Sequence, residues 1–171
     1  MEKKVPSFWV SAIIVALISI VYGMIIYFAN LTDNKVLANI GYLIFIVAIS
    51  VVCIQYSKSQ NGNVTFGNVF GYGFKTSAAV ALLMILWTFL MFKVIFPNME
   101  GELMQKQTAA MIKQGIPQDQ IDKGMAIGKK YFMVFAVGGA LVGYAILGVI
   151  SSLIGAAIAK KNPQANNPFG Q

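Results

Sequence analysis

Lys93 is the one charged side chain inside an apolar run of this sequence, the run from Thr76 to Phe96. A lysine held deep in a bilayer is a candidate for ion or proton handling, because an ammonium group is costly there and usually marks a functional site. Lys93, however, stands four residues before Pro97, so its flexible stem can carry the charge out to the interface. None of the apolar runs contains an acid that could pair with it, which argues against a proton relay. We expect Lys93 to be an interfacial anchor.

Other chemistry is sparse. Histidine is absent and Cys53 is the single cysteine, so an intrachain disulfide is impossible. Zinc sites built from Cys and His, and triads that need a His, are excluded. Cys53 lies in an apolar run, where it reads as a small buried hydrophobe. No catalytic, metal-binding or cofactor-binding constellation is expected, and the chain is not expected to be an enzyme.

Thirteen lysines stand against six acids, and arginine is absent. Nucleic-acid binders favour arginine for its bidentate contacts. Lysines spread along the chain and flanking apolar runs suit bilayer orientation and anionic headgroups instead, so nucleic acid is not an expected partner.

Small residues give a second kind of signal. Gly139 and Gly143 form a GxxxG pair, and Gly148, Ser152 and Gly155 continue a small-residue stripe on a neighbouring face. Such faces let helix backbones approach closely in lipid. Internal packing within a helix bundle is the expected use, with homodimerisation as the alternative. Phe66, Phe70 and Phe74 recur every fourth residue and share one helical face.

These residues must be positioned by four apolar runs: Phe8 to Ala29, Leu37 to Ile54, Thr76 to Phe96 and Tyr131 to Ala159. A hydrophobic share of 57% with only 11% charged residues exceeds what one small soluble core needs. A helix crosses the hydrocarbon with about 20 apolar residues. The runs do not alternate as barrel strands do, so the spans must be helices. The first run exceeds a signal-peptide core and is expected to be a retained span.

The fold class expected is an all-α integral membrane protein with four transmembrane helices. A short interfacial helix carrying Phe66, Phe70 and Phe74 precedes the third span, capped by Thr65, with Gly67, Gly71 and Gly73 allowing a bend or close helix packing. An extramembrane helical hairpin, 97–130, lies between the third and fourth spans. Glu100 and Glu102 start its first helix, Gly115 stops it, and Pro117 opens the second, where Ile121, Met125 and Phe132 share a face. Residues 1–161 form a single domain, followed by a disordered tail, 162–171, rich in Pro, Asn and Gln.

Lys3 and Lys4 outweigh Lys35 across the first span, which places the N-terminus in the cytoplasm. Four spans return the C-terminus, with Lys160 and Lys161, to the same side. The five lysines of the third connection run against this assignment in part.

The pattern resembles the domain of unknown function 4199 family, small four-span membrane proteins of Bacteroidota. Three features carry the resemblance. One is the stretch from Asn61 to Phe70, with its Thr-Phe-Gly at 65–67. Another is Pro97 ahead of a charged helical insert with Gly115 near its middle. The last is a glycine-rich fourth span ending in Lys160 and Lys161. The resemblance implies a bacterial inner membrane and no established activity. The function expected is a non-enzymatic multi-pass protein acting through protein or lipid contacts, its expected partners being the lipid bilayer and a membrane-protein partner or its own copies. The alternative is a small transporter or channel subunit.

Overall fold

The computed structural model describes residues 7–32 and 34–161. Lys3, Lys4 and the tail expected to be disordered, 162–171, lie outside the described residues. Among those described, the chain is helical with no strand. Its elements are α1 (Phe8–Phe28), α2 (Lys35–Ser59), α3 (Phe66–Leu90), a π-helical turn (Met91–Ile95), α4 (Met99–Lys113), α5 (Gln118–Lys130) and α6 (Phe132–Ile158). Four helices are long and apolar enough to cross a membrane: α1, α2, α3 continued through the π turn, and α6.

Local chemistry explains most of the boundaries. The Asn34 side chain accepts from the backbone N–H groups of Val36 and Leu37 at 3.0 and 3.3 Å and so caps α2. Thr65 Oγ1 accepts from Asn68 N at 3.2 Å at the start of α3. The turn after α2 carries Asn61 and Gly62 at positive φ. Gly115, at φ 74°, ends α4, and Ile116 N returns to Met111 O, a helix stop that glycine favours.

Residues 66–90 form one unbroken helix, which corrects the expectation of a separate short helix with a bend. A helical glycine costs only about 1 kcal/mol. A continuous helix keeps every backbone bond, which lipid cannot replace. The irregularity falls later, where Phe96 N bonds Met91 O in the wider π spacing.

The chain divides into two compact units, Met1–Met84 with Val142–Gln171, and Ile85–Leu141. In the first unit, α1 and α2 pack as neighbours. Tyr22 Oη donates to Leu37 O at 2.6 Å across that pair. The core takes Ala12, Val15 and Ala16 from α1, Phe45, Ile49 and Cys53 from α2, Val69 and Val80 from α3, and Ala156 from α6. In the second unit α4 packs on α5. Gly124 faces Met111 of α4, and Gly128 faces Met104.

Candidate functional site

A buried set of polar and small side chains in the first unit lies where α2, α3 and α6 meet. Each helix presents small residues three or four apart: Ser50, Cys53 and Ser57 on α2, Gly73 and Ser77 on α3, and Gly148, Ser152 and Gly155 on α6. That spacing puts each set on one face. All eight residues are buried.

The fit is close. A Cβ on Gly148 would stand 2.7 Å from Ser77 Cβ. One on Gly155 would stand 2.7 Å from Cys53 Cβ and 3.0 Å from Ser50 Cα. One on Gly73 would stand 2.9 Å from Ser152 Oγ. Hydrogen is therefore the only side chain these three positions accept without movement.

The hydroxyls are mostly satisfied by backbone carbonyls. Ser77 Oγ donates to Gly73 O at 3.0 Å, and Ser50 Oγ donates across to Ser151 O at 3.3 Å. Cys53 Sγ points at Val69 O, 3.8 Å away. Ser57 Oγ donates to Lys160 O, tying the end of α2 to the end of α6. Ser152 Oγ is buried with no hydrogen-bond partner among the described residues. Beside this set, Tyr56 and Tyr72 stack at 4.2 Å between ring centroids, and the Tyr72 hydroxyl meets Ser11 Oγ at 3.3 Å. Among the described residues no group of three or more His, Cys, Asp or Glu side chains could hold a metal ion. The arrangement joins helices; its hydroxyls and thiol include no acid–base pair.

The expected site residues separate into two groups. Gly148, Ser152 and Gly155 lie in the contact just described. Gly139 and Gly143 do not: a Cβ on either would meet nothing within 4 Å. Gly143 was expected at a contact inside the bundle; the buried face of α6 runs through Gly148, Ser151 and Gly155. Phe66, Phe70 and Phe74 form a ladder of near-parallel rings, 6.4 and 6.0 Å apart, and Lys161 Nζ lies over the Phe66 ring at 5.3 Å.

Lys93 Nζ stands 3.7 Å from Glu100 Oε2. Sequence reasoning looked for a partner inside the spans and missed this one, seven residues on at the start of α4. The lysine side chain is 48% exposed, and ion pairs so open to solvent contribute about 0–1 kcal/mol. Lys93→Gln should therefore leave the melting temperature in detergent within a few degrees of wild type. A severe loss of assembled protein would show instead a buried charge deprived of its partner.

Sequence reasoning also passed over Ser77 and the Tyr56–Tyr72 stack, while Gly73, expected to allow a bend or close helix packing, lies against Ser152. A signal was present, since small residues recur three or four apart along α2, α3 and α6.

Fold and site together define a class: an all-helical protein with four candidate membrane spans, joined in its first unit by small residues and buried hydroxyls. A family model described as "Protein of unknown function (DUF4199)" matches residues 11–161, and the chain belongs to that family. No curated protein and no solved structure matches it.

Proposed function

We propose that this chain is a non-enzymatic, multi-pass protein of a bacterial inner membrane that acts through contacts with lipid or with other membrane proteins. The observation that carries the reading is the distribution of side chains by size. Ala, Ser, Gly and Cys fill much of the core, while Ile14, Leu17, Val47, Leu82 and Ile146 are all more than half exposed. In water such surface would far exceed the patches monomers tolerate. Against lipid it is matched, and small residues are what bring helices together there.

In this reading Phe66, Phe70 and Phe74 lie at the headgroup boundary and α4 and α5 stand outside the membrane. Both ends face the cytoplasm. Reporter fusions at each end and beside Gly115 are expected to give cytoplasmic signals at the ends and an external one at the hairpin. A cytoplasmic signal beside Gly115 would reverse the assignment.

One observation favours a second reading, a small transporter or channel subunit: the buried hydroxyls of Ser50, Ser77, Ser151 and Ser152. Three of them bond backbone carbonyls, which suits helix joining better than a solute path. Purified protein in liposomes should pass ions and small solutes no faster than empty liposomes. Reproducible flux would replace the first reading with the second.

A further inference from the structure

The second unit contains a cleft of about 530 Å³. Its walls come from Phe92 on the π turn, Met104 and Gln107 on α4, Ile127 and Gly128 on α5, and Phe132 at the start of α6. Gln107 is the one side chain with hydrogen-bonding groups among the residues lining it. Sites for small molecules run to roughly 300–1,000 Å³ and are likewise mainly apolar with a few polar groups.

Two glycines leave the room. A Cβ on Gly128 would come within 3.3 Å of Met104 Cε, and one on Gly124, which also lines the cleft, within 3.8 Å of Met111 Cε. The neighbours at both points are the flexible ends of methionines, which reshape easily around a guest. The rim is apolar and open: Ile127 is 54% and Phe135 59% exposed.

Helix length places these walls near the membrane surface. The α3–π segment has 30 residues and α6 has 27, whereas a span needs about 20. Phe92 lies in the last turn of the first and Phe132 begins the second, so both stand at the end of a span. An apolar cleft at that level meets acyl chains and headgroups together.

Charge sets the polarity of the guest. Lys123 and Lys130 lie four residues before and three after Ile127, on the same face of α5. Lys129 adds a third positive charge in the last turn. Asp119, one turn before Lys123, is the acid on that face, and Lys130 Nζ rests over the Tyr131 ring at 5.2 Å.

We propose that this cleft takes one acyl chain of an anionic membrane phospholipid, with the headgroup phosphate drawn to the lysines flanking Ile127. The proposal rests on the membrane reading above and names the lipid class. It uses no second copy and no protein partner.

The test is native mass spectrometry of the full chain in detergent micelles doped with phosphatidylglycerol or phosphatidylcholine. One phosphatidylglycerol per chain should survive, retained roughly tenfold better than phosphatidylcholine, as two interfacial lysines favour anionic lipid. Gly124→Leu fills the cleft and should cut that retention about tenfold; leucine is the better helix former, so α5 stays folded. Ile127→Gln, at an exposed position, should also lower retention and serves if Gly124→Leu melts early. Lys123→Gln with Lys130→Gln should erase the preference for phosphatidylglycerol.

Equal retention by wild type and both cleft variants would overturn the proposal, as would equal retention of the two lipids by wild type. A change of oligomeric state in Gly124→Leu, with lipid unchanged, would overturn it in favour of a second copy. Lipid counts are read independently of solute flux, so their failure leaves the membrane reading standing. Release of the chain from membranes by alkaline wash without detergent would sink that reading itself.

Discussion

Gly155→Leu should strongly destabilise the first unit, while Gly143→Leu, three turns earlier on the same helix, should leave its stability unchanged. At Gly155 the first added carbon alone would stand 2.7 Å from Cys53 Cβ and 3.0 Å from Ser50 Cα. The second of these is backbone, so no rotamer change in α2 relieves it. Overpacking costs roughly 1–3 kcal/mol where neighbours can yield, and leucine carries three more carbons into the same gap. Lipid supplies no hydrophobic force to hold the helices together once their backbones part. A loss of about 3 kcal/mol corresponds to roughly 6–12 °C in melting temperature for a chain of this size.

Thermal melting in detergent should show at least that fall for Gly155→Leu and no fall for Gly143→Leu, whose Cβ would meet nothing within 4 Å. If the two variants melt alike, the contact between α2 and α6 does not hold the fold. If Gly143→Leu instead turns a dimer into a stable monomer, its open face is a contact between chains.

The four long helices were legible because each is a continuous apolar run, and lipid permits only helices or closed barrels. The stops at Gly115 and the cap at Thr65 were legible because each depends on one residue's own chemistry. The extent of α3 was not. Gly67, Gly71 and Gly73 read as a weak helix when taken alone, and tertiary packing overrides that: Gly73 is where α3 meets Cys53 and Ser152. Nor could spacing alone decide which small face of α6 turns inward. Gly139–Gly143 and Gly148–Gly155 look equivalent along the chain, and the choice is made by Ser50, Cys53 and Ser77 on other helices. The partner of Lys93 was hidden for a related reason, since a turn beyond the span brings Glu100 back toward it.

Ile121→Ala should loosen the α4–α5 hairpin while leaving the first unit intact. Ile121 is 1% exposed and is the one buried side chain of α5; α4 has none among its described residues. Gly124 and Gly128 face Met111 and Met104 of α4, and Ile121 lies on the same stripe one turn earlier. It is thus the one branched apolar side chain closed over on that face, between two helices of 15 and 13 residues. Helices so short are marginal without tertiary packing. Removing a buried isoleucine down to alanine costs roughly 2–5 kcal/mol, depending on how far the site collapses. That is enough to open a local unit well before the whole chain unfolds.

Amide hydrogen exchange is the direct measurement. In Ile121→Ala the amides of residues 99–130 should exchange at least tenfold faster, while those of α1 and α2 keep their wild-type rates. Faster exchange throughout would mean that Ile121 supports the whole chain. Unchanged exchange in α4 and α5 would mean that the methionines opposite the two glycines, and not Ile121, close the hairpin.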